Sequence, residues 1–193
     1  TSHFCMGKIM ENLSVIGIGR LGLCFSLTLE KGGYNVFGCD IRDDYVENIN
    51  NKIFCSFEPG VNEYLNESTN FIATTNLKRT VEHADMLFVT VATYSEPDGR
   101  YDVSQINSVI ESLLLLGVQN TKKHLVICSN VNPGYTDTVY DRLKDFNWDV
   151  SYNPETIAQG TILKNQAKPD CIYIGSDNQE LASQISKIYD RAC

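Results

Sequence analysis

Gly17-Ile18-Gly19-Arg20-Leu21-Gly22 follows the apolar run Leu13-Ser14-Val15-Ile16, and Asp40 closes the next apolar run, 18 residues past Gly22. These residue types at this spacing suit one chemistry. A glycine-rich turn between strand and helix lets backbone N–H groups approach a pyrophosphate at the positive end of a helix dipole. A carboxylate on the neighbouring strand then accepts hydrogen bonds from a ribose diol. Gly17 permits the tight turn, Gly19 leaves room for a phosphate, and Gly22 lets helix and strand pack closely. Ile18, Arg20 and Leu21 fall within the same phosphate-facing turn. Asp40 has a second possible role, as N-cap of a helix beginning near Asp43. As a ribose ligand, its charge would repel a 2′-phosphate and favour NAD over NADP. Arg42 could pair with such a phosphate, but beside an intact Asp40 it reads as a solvated loop arginine.

The flanking sequence supplies the elements that such a site needs. Leu13 to Ile16 is a strand, Leu21 to Lys31 a helix ending at Gly32-Gly33, and Asn35 to Asp40 a second parallel strand. Asp43 to Asn50 reads as a helix, Glu58-Pro59-Gly60 as a turn before a short helix through Tyr64-Leu65, and Phe71 to Thr74 as a third strand. Thr75 and Asn76 can cap a helix running to His83. Met86 to Val91 is the near-continuous apolar run of a central strand buried on both faces. Ligands gather at the carboxyl ends of such strands, which brings in Val91, Ala92, Thr93 and Tyr94, with a flexible stretch at Glu96-Pro97-Asp98-Gly99. A helix over Ile106 to Leu116, a strand over His124 to Cys128 and a helix over Thr136 to Leu143 follow. The alternation predicts an α/β fold: a doubly wound, mostly parallel sheet of Rossmann type with helices on both faces. Residues 1–12 read as a loose tail, in part an expression remnant, and residues 13–193 as the dinucleotide-binding domain.

Composition narrows the alternatives. With 42% hydrophobic residues among 193, the chain can bury one sizeable core. A net charge of −8 argues against nucleic acid and against an anionic membrane surface as partners. The seven cysteines are scattered without a C-x-x-C pair, and His3, His83 and His124 are far apart, so no zinc site is expected and the thiols read as reduced. Cys24, Cys39 and Cys128 fall in predicted core elements. No apolar run approaches bilayer length and no signal-peptide pattern opens the chain, which fits a cytoplasmic protein.

Several motifs in order resemble those of the UDP-glucose/GDP-mannose dehydrogenases. The Gly17-to-Gly22 turn is similar to G-x-G-Y-V-G, Glu58-Pro59-Gly60 to E-P-G, and Val91-Ala92-Thr93 to part of V-P-T-P. Asp98-Gly99 precedes an aspartate, Asp102, as in many members. Ser129-Asn130-Val131-Asn132-Pro133-Gly134-Tyr135-Thr136 resembles S-T-V-P-P-G-T-T. Residues Asn153-Pro154-Glu155-Thr156-Ile157-Ala158-Gln159-Gly160-Thr161 resemble N-P-E-F-L-A-E-G-T, with Pro169-Asp170 beyond, where P-D-R is usual.

The resemblance implies oxidation of a sugar nucleotide's C6 alcohol to a carboxylate, with two NAD molecules reduced and a cysteine holding first a thiohemiacetal and then a thioester. Such chemistry asks for a base, a thiolate and a group that activates water. Glu155 takes the place of the catalytic carboxylate, unless it merely caps a helix at Thr156, and Asn130 that of a threonine which positions water and substrate. Ser129 and Asn130 are further expected cofactor contacts, and Gln159 replaces a glutamate near the nicotinamide. Ala92 and Tyr94 replace two prolines, Arg20 a tyrosine beside the pyrophosphate, and Tyr45 a basic residue one helical turn past the ribose aspartate. No stretch resembles G-x-C-F-P-K-D, which carries the nucleophile, and neither Cys171 nor Cys193 matches its position. The chain is thus expected to be the NAD-binding portion of such an enzyme, without its central and C-terminal substrate domains and inactive alone. The expected substrate is UDP-glucose or a related sugar nucleotide, the setting polysaccharide biosynthesis, and the full-length protein a homodimer or larger. Two other readings stay open at this point: a 3-hydroxyacid-type NAD(P)-linked dehydrogenase, and a non-catalytic NAD-binding module.

Overall fold

A computed structural model describes residues 11–155, 157 and 160–193. The expected tail therefore lies almost wholly outside the described residues. Six strands, β1 (Asn12–Ile16), β2 (Asn35–Cys39), β3 (Phe71–Thr74), β4 (Met86–Val89), β5 (Lys123–Ile127) and β6 (Trp148–Tyr152), form one sheet. Its order is β3-β2-β1-β4-β5-β6, and every pairing is parallel. Parallel neighbours need crossovers, which the helices provide: α1 (Arg20–Lys31), α2 (Asp43–Asn50), α3 (Val61–Glu67), α4 (Leu77–His83), α5 (Ser104–Leu115), α6 (Tyr135–Leu143), α7 (Ile162–Ala167) and α8 (Gln179–Ala192).

The central strands are apolar throughout because both faces are covered. On β4, Met86 and Phe88 pack with Phe25 and Leu29 of α1 and Ile185 of α8, whereas Leu87 and Val89 pack with Ile106 and Ile110 of α5 and Val139 of α6. Phe25 meets Phe88 edge-on at 5.1 Å between ring centres, a favourable aromatic geometry. The second layer also holds Trp148, the chain's single tryptophan, fully buried at the start of β6. Ser14 of β1 donates to the Thr80 carbonyl of α4 (2.8 Å), so that helix is pinned to the sheet by a buried hydrogen bond.

Strand order reverses between β1 and β4, and there the crossovers on either side diverge. That divergence opens a crevice above the carboxyl ends of the strands. Along this rim lie, in sheet order, the residues after β2 (Asp40), β1 (Gly17–Gly22), β4 (Thr90–Thr93), β5 (Cys128–Asn130) and β6 (Asn153–Glu155). The stretch at 96–99 expected to be flexible is folded as a small hairpin. Ser95 and Tyr101 bridge, the Asp102 amide donates to Tyr94 O (2.8 Å), and Asn132 clips the hairpin to the loop after β5 by two hydrogen bonds with Tyr101.

Candidate functional site

The glycine turn is built by backbone constraint. Gly17 has φ +89°, a conformation in which a side chain is strained, and its N–H donates to Cys39 O (2.8 Å), joining the turn to the end of β2. Thr90 Oγ1 donates to Gly17 O (2.5 Å) from the β4 side. A Cβ on Gly22 would collide with Gly17 O and Thr90 Oγ1, so only glycine lets α1 start this close to the sheet. A Cβ on Gly19 would meet nothing within 4 Å. Gly19 thus borders open space where the N-terminus of α1 begins without a side-chain cap and without an acidic residue in its first turn. Uncapped N–H groups at the positive end of a twelve-residue helix fit a pyrophosphate. Ile18 is buried beneath the turn, Leu21 packs against the core, and Arg20 is exposed at the first helical position.

Asp40 sits just past β2, buried to 9% relative exposure. It does not cap α2, whose N-cap is Arg42 without a side-chain cap. Arg42 is exposed, as expected of a loop arginine, but it is also paired. Its Nε and Nη2 donate to the two Asp40 carboxylate oxygens (2.8 and 2.9 Å), and its guanidinium lies 3.9 Å over the Tyr45 ring. Tyr45 in turn donates its hydroxyl to Ile18 O (2.7 Å), which ties α2 to the glycine turn. Sequence reasoning noted Tyr45 only as a lost basic residue; its spacing after Asp40 was the available signal.

Across the switch point, Ser129 Oγ donates to Val91 O (2.6 Å), locking together the chain leaving β4 and β5. Thr93 is half-buried, while Ala92 and Asn130 are exposed on the rim. Glu155 follows β6, its N–H donating to Cys128 O (3.2 Å). Burial pushes its carboxyl up from 4.5 to about 7, with the polar ends of Gln166 and Tyr189 pulling back more weakly. Among the described residues, Glu155 Oε1 and both polar atoms of the Gln166 side chain are buried without a hydrogen-bond partner, as expected where a water or substrate group belongs. A cleft of about 440 Å³ adjoins Glu155, with Asn153, Lys164, Gln166 and Lys168 in its wall. Thr156 and Gln159 lie outside the described residues.

Two supports of Glu155 were missed. Asn153 is buried; it donates to Tyr173 O (2.9 Å) and accepts from the Tyr189 hydroxyl (2.6 Å), fixing the segment before Glu155. Glu58, also buried, accepts from the N–H groups of Gly160 (2.9 Å) and Ile162 (2.7 Å), fixing the segment after it. The E-P-G resemblance singled out Glu58 but gave no reason for its carboxylate. Four of the cysteines are poor nucleophiles. Burial pushes Cys24 up to about 12 and Cys128 well above the ordinary thiol range, and it raises Cys39 and Cys193 as well. Among the described residues no cluster of metal-ligating side chains occurs, and no helix is long and apolar enough to cross a membrane.

A six-stranded parallel sheet with an uncapped glycine turn at its switch point defines a dinucleotide-binding domain of Rossmann type. Comparison with known proteins takes this further. Residues 11–193 match the UDP-glucose/GDP-mannose dehydrogenase family, NAD binding domain; the chain belongs to this family, and NAD is its cofactor. It is 29% identical over 189 residues to the UDP-glucose 6-dehydrogenase of Rickettsia prowazekii, which covers 92% of this chain and 42% of that protein. Among solved structures it resembles a UDP-glucose dehydrogenase from Pyrobaculum islandicum, with TM-score 0.86, 26% identity, and coverage of 97% of this chain and 46% of that one. It also resembles GDP-mannose dehydrogenase of Pseudomonas aeruginosa, solved as a ternary complex, with TM-score 0.84, 25% identity, and coverage of 92% and 44%. The chain spans less than half the length of these relatives.

Proposed function

We propose that the chain is the coenzyme-binding part of an enzyme that oxidises the C6 alcohol of a sugar nucleotide, UDP-glucose foremost, to the uronate in two hydride transfers. The observation that carries this reading is the position of Glu155. A carboxyl with a pKa raised to about 7, and with an oxygen that has no partner among the described residues, stands on the same rim as the glycine turn, separated from it by the chain leaving β4 and β5. NAD, when bound, accepts the hydride. Gly17 to Gly22 would seat its pyrophosphate, Asp40 would take the adenosine ribose, and Val91 to Thr93 with Ser129 would border the nicotinamide end. Glu155, with a pKa of about 7, can give up or take a proton near neutral pH, which suits a group that handles a water beside the sugar C6. Asn130, exposed on the same rim, carries an amide able both to donate and to accept hydrogen bonds.

The raised thiols support a further part of the reading. None of Cys24, Cys39, Cys128 or Cys193 is activated, which supports the reading that the chain alone does not turn over substrate. The same observation favours a second reading, a non-catalytic NAD-binding module. The proposed enzyme works in the cytoplasm, on a route to polysaccharide, as a homodimer or larger. Calorimetric titration of this chain with NADH, beside Asp40→Ala, tests the binding half; equal affinity for both refutes the ribose assignment. Following NADH absorbance with UDP-glucose, GDP-mannose and UDP-N-acetyl sugars, in the longer protein of which the reading makes this chain a part, tests the catalytic half. No reduction of NAD with any of them would leave the binding module.

A further inference from the structure

The pairing of Asp40 with Arg42 changes what the ribose end of the crevice can accept. Arg42 grips both carboxylate oxygens through its side chain, and its backbone N–H donates to Oδ1 as well (3.2 Å). The acid is sealed and the base is open: the Asp40 side chain is 8% exposed and that of Arg42 54%. We propose that this pair makes the site tolerant of a 2′-phosphate, so that the chain binds NADPH as well as NADH, with Arg42 as the deciding residue. The proposal rests on Asp40 being the ribose ligand.

A lone carboxylate at this position repels a 2′-phosphate; a carboxylate already neutralised by a guanidinium on its solvent side does not. The pair leaves capacity on both partners. Oδ1 accepts from both the backbone N–H and Nε, whereas Oδ2 accepts only from Nη2 and keeps a lone pair for a ribose hydroxyl; the guanidinium has five N–H donors, of which Asp40 takes two. Stacking on Tyr45, itself anchored to Ile18 O, holds the cation beside the glycine turn instead of letting it drift into solvent. No side chain caps α2 at Arg42, so the amides of its first turn add partial positive charge at the same place. Asp43 and Asp44, exposed in that first turn, act in the opposite direction.

The test is fluorescence titration of this chain with NADH and with NADPH, for the wild type, Arg42→Ala, Arg42→Lys and Asp40→Ala. Wild-type dissociation constants for the two nucleotides are expected within about tenfold of each other. Arg42→Ala should widen that gap by a further tenfold or so by weakening NADPH selectively. Arg42→Lys should lie between, because an ammonium keeps the charge and loses the fork. If the wild type binds NADH but NADPH at least about a hundredfold more weakly, or if Arg42→Ala weakens both nucleotides equally, the proposal is overturned while the ribose assignment stands. Should Arg42→Ala bind neither, the NADPH to NADH ratio of Arg42→Lys decides in the same way. If the wild type binds neither, or Asp40→Ala binds NADH as the wild type does, the ribose assignment itself fails and the proposal with it.

Discussion

Gly19 and Gly22 stand in one turn yet should respond to a side chain in opposite ways. Gly19 has an ordinary φ of −63° and open space beside it, so Gly19→Val is expected to keep the wild-type melting temperature and lose NADH binding as the valine fills the pyrophosphate seat. Thermal melts run beside calorimetry would show this; retained binding would refute the seat. Gly22→Ala drives a methyl into Gly17 O and Thr90 Oγ1 and should cost about 2–3 kcal/mol of stability, read from the urea midpoint. Glu155 has a signature of its own. Below pH 4.5 its carboxyl is protonated in both folded and unfolded chains. Between 4.5 and about 7 only the unfolded chain releases the proton, so folding stability falls across that window and stays lower above it. Urea unfolding at pH 5 and pH 8 should show Glu155→Gln free of a loss of about 1–3 kcal/mol that the wild type suffers. Identical pH dependence in the two chains would mean that the carboxyl is not desolvated.

At the scale of elements, the turn before α3 holds the start of α7. Glu58 reaches 102 residues along the chain to Gly160, and its Oε1 accepts from the buried Ile162 amide. Glu58→Ala leaves two amides without an acceptor and should cost about 2–3 kcal/mol. Faster hydrogen exchange at Gly160 and Ile162 than at β4 amides would localise that loss; uniform acceleration would argue against a local clamp. What the sequence made legible follows from burial. Strands β1 to β5 were found because burial on one or both faces leaves apolar runs such as Met86 to Val89. The β6 segment Trp148-Asp149-Val150-Ser151-Tyr152 went unplaced, because an edge strand with one parallel neighbour interleaves polar residues. Helix α7 is six residues long, too short for a period to show. Helix α8 did carry the signal, with Leu181, Ile185, Ile188 and Tyr189 on one face. The placing of Asp40 and the glycine turn on one rim was legible from spacing, and that of Glu155 only through resemblance. The grip of Arg42 on Asp40 was not legible, since a reach back over two residues depends on rotamers and on the Tyr45 ring beneath.

For the whole molecule, the rim after β2, β1, β4, β5 and β6 sets out an order that runs from Asp40, the proposed adenosine side, to the carboxyl of Glu155. A chain that carries this rim and under half of its relatives' length is expected to bind NADH in the micromolar to millimolar range, a binding free energy of about −4 to −8 kcal/mol. It should also produce no NADH from NAD and UDP-glucose. Calorimetry and absorbance on the same sample check both halves, and turnover by this chain would overturn the account of its thiols. One residue in the second layer makes such work easier. Trp148 is the only indole in the chain, sealed in hydrocarbon at the end of β6 remote from Glu155. Its ultraviolet glow should therefore be blue-shifted, stay constant in colour as the coenzyme comes and goes, and redden only when water breaches the sheet. The protein thus carries an internal lamp that reports its integrity separately from its occupancy.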